Sequence, residues 1–287
     1  MRVASKTIFD SVRFNLAHIT EDLNRANEVV STGKRINNLS DDPVGLVQSL
    51  NLKSTLSSIE QMGRNITLGH SWLATAESSL RQTQNVLSDA KVLCVQMATA
   101  TIGSVERYAA GEIVQNMLEE IVSLANTEVG GRYIFAGSKT DAIPFSQDGT
   151  YSGDNNDFSI KIGKDVLLEV GSDGEEVFGG IFNALSVLKN ALETNDINGI
   201  GASMNSLNDH FDHFTTKISG VGSKMIRMDI RENILQDLNI LNVERLSKME
   251  DADITDAIIN LKSMEIGYQA ALASSTKVMN LSLVNYM

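Results

Sequence analysis

The sequence predicts a mainly α fold: an elongated antiparallel rod of long coiled-coil helices, with a small inserted β module and with the N- and C-terminal helices paired. Three observations lead to this expectation. Apolar residues recur in unbroken heptads between residues 59 and 97. Only 5% of the 287 residues are aromatic and 2 are proline, which suits long helices better than a sandwich or barrel. From Gly130 onwards, segments that favour β-strands are separated by clusters of Gly, Asp and Asn.

Charge and cysteine content exclude several classes of protein. The net charge of -12 argues against nucleic-acid binding, which needs clustered Lys and Arg to displace counterions. The single cysteine, Cys94, allows neither an intramolecular disulfide nor a Cys-based zinc site. Lys6, Asp10 and Arg13 interrupt any apolar core of a signal peptide, and no apolar run approaches the roughly 18 residues of a membrane span. These features indicate a cytoplasmic protein, although a chain exported by a dedicated secretion machine would look the same.

The first helix is predicted by apolar residues that alternate steps of four and three, the pattern of an amphipathic or coiled-coil helix. These residues are Ile8, Val12, Leu16, Ile19, Leu23, Ala26 and Val30.

This helix should end near Gly33, and a loop should lead to Pro43, which is favoured at the first position of a new helix. Asp41 or Asp42 is expected to cap that second helix.

The second helix carries the clearest periodic signal in the chain. One seam repeats every seven residues through Ile59, Ile66, Leu73, Leu80, Leu87 and Cys94. If residues 43 to about 100 form one helix, its length is roughly 85 Å at 1.5 Å per residue. Small residues on a second seam, Gly69 among them, should allow a neighbouring helix to approach closely.

A small β module is predicted over residues 132–175. Its strands should be Arg132 to Phe135, Phe158 to Ile162 and Val166 to Val170, separated by clusters of Gly, Asp and Asn. Residues 43–131 and 176–250 are assigned to the helical rod on either side, and the helix through Gly220 and Gly222 is expected to be continuous because the seam keeps its phase.

The last helix has an apolar stripe formed by Ile258, Leu261, Met264, Tyr268, Leu272 and Met279. Nothing local buries this stripe or the stripe of the first helix. The simplest solution is that the terminal segments, residues 1–42 and 251–287, pair with each other and with neighbouring subunits. The two stripes are therefore the predicted assembly interface.

No constellation of residues predicts catalysis, a cofactor or a metal. His210 and His213 are three residues apart on a predicted helix, so a metal pair is geometrically possible, but burial beside Phe211 and Phe214 explains that helix better. His18 and His70 are isolated in sequence, and Cys94 occupies a seam position where a small apolar residue belongs. We expect a protein that is not an enzyme.

Two segments resemble members of the flagellin superfamily. The segment STGKRINNLSDDP is similar to the signature that follows the first helix of flagellin and the hook-associated proteins; its motif residues are Ser31, Gly33, Arg35, Asn37, Ser40, Asp41, Asp42 and Pro43. The segment GGRYIFAGSKTDAIPF resembles the entry from helix to strand in the hook-filament junction members; its motif residues are Gly131, Arg132, Tyr133, Phe135 and Gly137.

This resemblance implies a structural adaptor of the bacterial flagellum, located at the hook tip between the larger junction protein and flagellin. It implies export through the flagellar type III channel without a cleaved signal peptide, and an extracellular location. The implied partners are copies of the chain itself, the larger junction protein, flagellin and an export chaperone. A short flagellin is the alternative within the superfamily, and a coiled-coil signalling module is the alternative outside it.

Overall fold

A computed structural model describes the backbone of residues 2–284 and the side chains of residue 7 and residues 9–277. The described residues form six helices and four short strands, which confirms the mainly α class with long helices and small β elements. In chain order they are α1 Arg2–Thr32, α2 Pro43–Met97, α3 Ser104–Ala125, β1 Glu128–Val129, β2 Arg132–Tyr133, β3 Ser159–Gly163, β4 Val166–Glu169, α4 Gly174–Glu193, α5 Ile197–Glu250 and α6 Ile254–Val284. None of the described helices is long and apolar enough to cross a membrane.

The chain divides into two compact units. The terminal unit consists of residues 1–58 and 238–287, and the central unit consists of residues 59–237. The division predicted from the sequence is different, with terminal assembly segments, a helical rod and a β module. That division stays a prediction.

The central unit has an extensive apolar core. The predicted heptad seam of α2 lies inside it, and Ile59, Ile66, Leu73, Leu80, Leu87 and Cys94 are all buried. On α5, Leu207, Phe214, Val221 and Met228 are buried at the same spacing of seven residues. The helix α5 runs without a break through Gly220 and Gly222, as the unbroken seam predicted.

Close packing of α2 and α5 depends on Gly69. This glycine is buried, and a Cβ atom at its position would overlap Cδ1 of Ile160 on β3 and Cε of Met228 on α5. This small residue of the second seam leaves room for side chains of the neighbouring elements.

The β insertion consists of two separate two-stranded antiparallel hairpins. The first, β1 with β2, turns through Gly130 and Gly131, whose φ angles of 60° and 77° suit a tight turn that favours glycine. It begins at Glu128, ahead of the predicted boundary at residue 132. The second hairpin pairs β3 with β4, and its strand bounds agree with the predicted strands to within two residues at each end.

An aromatic cluster packs α4 against the insertion and α5. The Phe178 ring contacts Phe135, Phe145 and Phe214 edge-on, with ring centroids 4.9, 5.9 and 5.5 Å apart. The helix α4 begins where the Asp173 side chain accepts a hydrogen bond of 2.9 Å from the backbone N–H of Glu175. The insertion is therefore fixed to the helices by side-chain packing.

We predict that Gly69→Val destabilises the protein by about 1 to 3 kcal/mol, because the added methyl groups overpack the contact with Ile160 and Met228. Gly63→Val is the matched control, since nothing lies within 4 Å of a Cβ atom at that glycine of the same helix. Urea denaturation followed by circular dichroism measures both free energies of unfolding. Equal stabilities of the two variants would contradict the assigned close approach.

Candidate assembly interface

The helices α1 and α6 pack together in antiparallel orientation. Gly33, at the end of α1, lies beside the Ile254 side chain at the start of α6. Further along the pair, Val12, Leu16 and Ile19 line an open groove of about 400 Å³. The groove is lined on the α6 side by Ala271, Ser274 and Ser275. The first and last helices are thus paired within the terminal unit, as the two apolar stripes predicted.

None of the predicted interface residues whose side chains the structure describes is fully buried. The half-buried ones are Val12, Leu16, Ile19, Leu23, Leu261, Met264 and Tyr268. Ile258 and Leu272 are 45% and 39% exposed. The side chains of Ile8 and Met279 lie outside the described residues.

The α1 and α6 pair also exposes apolar residues that were not assigned from the sequence. Ile259 and Ile266 on α6 are 63% and 66% exposed, and Phe9 and Phe14 on α1 are exposed as well. Ile259 and Ile266 are seven residues apart, so a second heptad seam beside the first could have revealed them. These side chains could be covered by other helices.

Few apolar side chains are buried in the terminal unit. Among its described residues only Ala26, Ile36 and Ala257 are buried apolar ones, whereas the buried polar ones are Ser49, Asn242 and Glu250. Polar contacts must therefore contribute much of what fixes the geometry of this unit.

The carboxylate of Glu250, at the last residue of α5, is the centre of these polar contacts. Its Oε2 atom lies 3.0 Å from Nζ of Lys34, and its Oε1 atom lies 2.5 Å from Nζ of Lys53. The buried Ser49 hydroxyl donates a hydrogen bond to Oε1. Glu250 thus connects the loop after α1, the second helix and the end of α5.

Burial and hydrogen bonding shift the pKa of the Glu250 carboxyl in opposite directions. Desolvation favours the neutral form, but hydrogen bonds from Lys53, Ser49 and Lys34 outweigh it and lower the pKa of Glu250 to about 2. The group is therefore ionised at neutral pH although only 2% of the residue is exposed.

Further hydrogen bonds attach the loop of the first motif to residues 249–252, next to the Glu250 carboxylate. Gly33 has a φ angle of 69° and ends α1, and its carbonyl accepts a hydrogen bond of 2.9 Å from the N–H of Ala252. The N–H of Arg35 donates to the Glu250 carbonyl at 2.6 Å, and its guanidinium donates to the Met249 carbonyl at 3.1 Å.

The two motif aspartates have different structural roles. The Asp41 carboxylate accepts hydrogen bonds from the N–H groups of Asn37 and Asn38 at 3.1 and 2.8 Å, and the bond from Asn38 contributes most to lowering the pKa of Asp41. Asp42 caps α2, since its Oδ1 atom accepts a hydrogen bond of 2.8 Å from the N–H of Gly45. Of the two candidates for the cap, Asp42 is the one observed.

The remaining residues of the first motif have simpler environments. Pro43 is the first residue of α2, as predicted. Ser31 and Ser40 are exposed. The first motif thus builds the loop that connects the paired terminal helices to the Glu250 site.

The second motif, in the central unit, forms the first hairpin and the chain that follows it. Gly131 lies in the hairpin turn, Tyr133 donates its N–H to the Thr140 carbonyl at 2.8 Å, and Phe135 belongs to the aromatic cluster. Gly137 has a φ angle of 67°, and a Cβ atom there would overlap the Asp154 carbonyl oxygen. Arg132 is exposed and lies 3.9 Å from Asp141. This motif has a structural role.

The side chains of His210, His213 and Cys94, which were considered as reactive groups, contact other residues of the central unit. His210 lies against Gly180 of α4, and His213 has its Nε2 atom 3.0 Å from the Glu176 carbonyl oxygen. Burial raises the pKa of Cys94 to about 11, which keeps the thiol protonated in the core.

Comparison with known proteins agrees with this architecture. Residues 5–140 match the bacterial flagellin N-terminal helical region. The chain is 22% identical to flagellar hook-associated protein 3 of Salmonella typhimurium, over 99% of this chain and 98% of that protein. By contrast, a polar flagellin of Vibrio parahaemolyticus is 32% identical over 55% of this chain but only 41% of its own length. The chain is similar to hook-associated protein 3, a protein of the flagellin superfamily, over nearly its whole length.

A solved structure supports the same assignment. The crystal structure of Bacillus cereus FlgL has a TM-score of 0.62 and 27% identity to this chain, and it covers 69% of this chain and 99% of its own. The match to hook-associated proteins spans the chain, whereas the flagellin matches are partial. This difference favours the junction type over a short flagellin.

We predict that Glu250→Gln destabilises the terminal unit by about 2 to 3 kcal/mol, because hydrogen bonds between charged groups are lost in a buried position. Glu244→Gln is the matched control, since this glutamate of the same helix forms only an exposed pair with Lys248, and little change is expected. Urea denaturation gives both values. A control as unstable as Glu250→Gln would contradict the role assigned to the buried carboxylate.

Lowering the pH should remove the contribution of Glu250 to the free energy of unfolding. Because its pKa of about 2 in the folded protein lies below the ordinary value of 4.5, the stabilisation is complete above pH 4.5 and is lost as the pH falls towards 2. The difference in unfolding free energy between wild type and Glu250→Gln should therefore shrink from pH 7 to pH 3. A difference that stays constant over this range would show that Glu250 is not the group responsible.

Proposed function

We propose that this chain is a structural subunit of the bacterial flagellum that forms the junction between hook and filament. The observation that carries this proposal is the similarity to hook-associated protein 3 over nearly the full length of both chains. The geometry adds a reason, because the paired terminal helices leave apolar side chains exposed that other subunits can cover. We infer that the protein acts by helix contacts and has no enzymatic activity.

Assembly would be driven by burial of these exposed side chains. Burying apolar surface contributes about 25 cal/mol per Å², so Ile258, Ile259, Ile266 and Leu272 together offer a substantial driving force once partner helices are available. Residues 1–42 and 251–287 would form the inner layer, residues 43–131 and 176–250 the rod, and residues 132–175 the outward β module. The proposed partners are further copies of the chain, the larger junction protein on the hook side and flagellin on the filament side.

To reach the junction between hook and filament, the chain must be exported from the cell. The proposed route is the flagellar type III channel, without a cleaved signal peptide and with an export chaperone bound to the C-terminal helix. The mature location would then be extracellular. An exposed apolar face on α6 is the kind of surface that a chaperone protects before assembly.

A short flagellin is the second candidate, and the 32% identity to part of a polar flagellin favours it. The two functions differ in a measurable way. A filament subunit polymerises into long filaments after purification, whereas a junction subunit forms a short, closed layer.

Deletion of the gene in the bacterium that carries it tests the junction role. We expect hooks without filaments in electron micrographs and unpolymerised flagellin in the spent medium. Normal motile filaments in the deletion strain would contradict the proposed junction role.

Complementation of that strain with α6 variants tests the interface. Ile259→Glu and Ile266→Glu should each reduce the fraction of cells with filaments at least about tenfold, because a carboxylate would be desolvated in a helix contact and each 1.4 kcal/mol is tenfold in an equilibrium constant. Asn260→Glu introduces the same carboxylate at an exposed polar position and should restore filaments. Equal levels of secreted protein establish that export is unchanged, and full rescue by both isoleucine variants would contradict the interface.

A further inference from the structure

A cluster of three side chains in the central unit has no part in the proposed assembly. His70 on α2 meets Asp229 and Glu232 on α5, and one nitrogen or oxygen atom from each lies within 4.8 Å of the others. The shortest separation is 3.1 Å, between Nε2 of His70 and Oδ1 of Asp229. In the sequence His70 stands alone, and only the packing of α2 against α5 brings the carboxylates to it.

The two carboxylates of the cluster lie on the same helix. Asp229 and Glu232 are three residues apart, so their side chains share one face of α5 and repel each other. Among the described residues, no lysine or arginine forms a salt bridge with either carboxylate. A bound cation would offset this repulsion.

The imidazole of His70 is also unsatisfied. Its Nε2 atom is shielded from solvent and makes no hydrogen bond within the described part of the chain, because the approach of Asp229 lacks hydrogen-bond geometry. A buried ring nitrogen without a partner is costly. With the proton of a neutral imidazole on Nδ1, the Nε2 atom would offer its lone pair to a metal ion.

We propose that His70, Asp229 and Glu232 bind a divalent transition-metal ion of the zinc class. One imidazole nitrogen with two carboxylate oxygens is a donor set that suits Zn²⁺ and leaves a fourth position for water, whereas Mg²⁺ prefers oxygen ligands only. Tetrahedral ligands at about 2.1 Å from the ion lie about 3.4 Å apart, so His70 and Asp229 are nearly in place and Glu232 needs only side-chain rotation.

The ion would connect α2 to α5 beside the contact between Gly69 and Met228. His70 follows Gly69, and Asp229 follows Met228, the residue that packs against that glycine. Metal binding would therefore stabilise the packed helices of the central unit, because a ligand that binds the folded state alone shifts the unfolding equilibrium. This inference does not depend on the junction role.

Titration of the purified full-length chain with ZnCl₂ in a calorimeter tests the site. We expect one Zn²⁺ per chain, an increase of the thermal midpoint with Zn²⁺, and no competition by excess Mg²⁺. His70→Gln and Asp229→Asn should each weaken Zn²⁺ binding at least about tenfold, since loss of even an outer-shell partner of a metal ligand costs 10- to 100-fold. Asp229 is largely exposed, so its variant should fold, and circular dichroism checks both variants.

His18→Gln is the matched control. His18 and Asp22 form an exposed pair on α1 at 3.1 Å, without the third ligand, and this variant should bind Zn²⁺ as the wild type does. Unchanged affinity in folded His70→Gln would assign the ion to another histidine and overturn the proposal. Absence of Zn²⁺ binding by the wild type would overturn it as well.

Discussion

The buried carboxylate of Glu250 is the contact on which the terminal unit depends. It receives Lys34 from the loop after α1 and both Ser49 and Lys53 from α2, while its own backbone carbonyl accepts the N–H of Arg35. Burying a charge without such partners would be strongly unfavourable. Since few apolar side chains are buried nearby, these directional contacts define how the loop and the helices meet.

The two units are stabilised by different physical effects. The central unit buries heptad leucines such as Leu80 and Leu87 together with a cluster of aromatic rings, so its stability comes mainly from apolar burial. The terminal helices bury their apolar stripes only partly within one chain. A unit with this incomplete burial is suited to intermolecular contacts, since its remaining apolar surface is covered only when other helices are present.

Local sequence patterns predicted the helices, but they did not predict which residues far apart in the sequence meet in the fold. The heptads predicted α2 because helical periodicity depends on neighbouring residues, and the unbroken seam predicted α5 across Gly220 and Gly222. The contact between Lys34 and Glu250 joins residues 216 positions apart, and no spacing in the sequence indicates it. The meeting of His70 with Asp229 likewise depends on the register of two packed helices, which a single sequence does not fix.

The loop that carries STGKRINNLSDDP has a consequence for incomplete chains. Three of its hydrogen bonds join it to residues 249–252, close to the opposite end of the sequence. A polypeptide that stops before residue 250 contains α1 and this loop but cannot make the contacts that fix them. The fold thereby distinguishes a finished subunit from a truncated product, because only a chain that reaches α6 can present the two terminal helices as a pair.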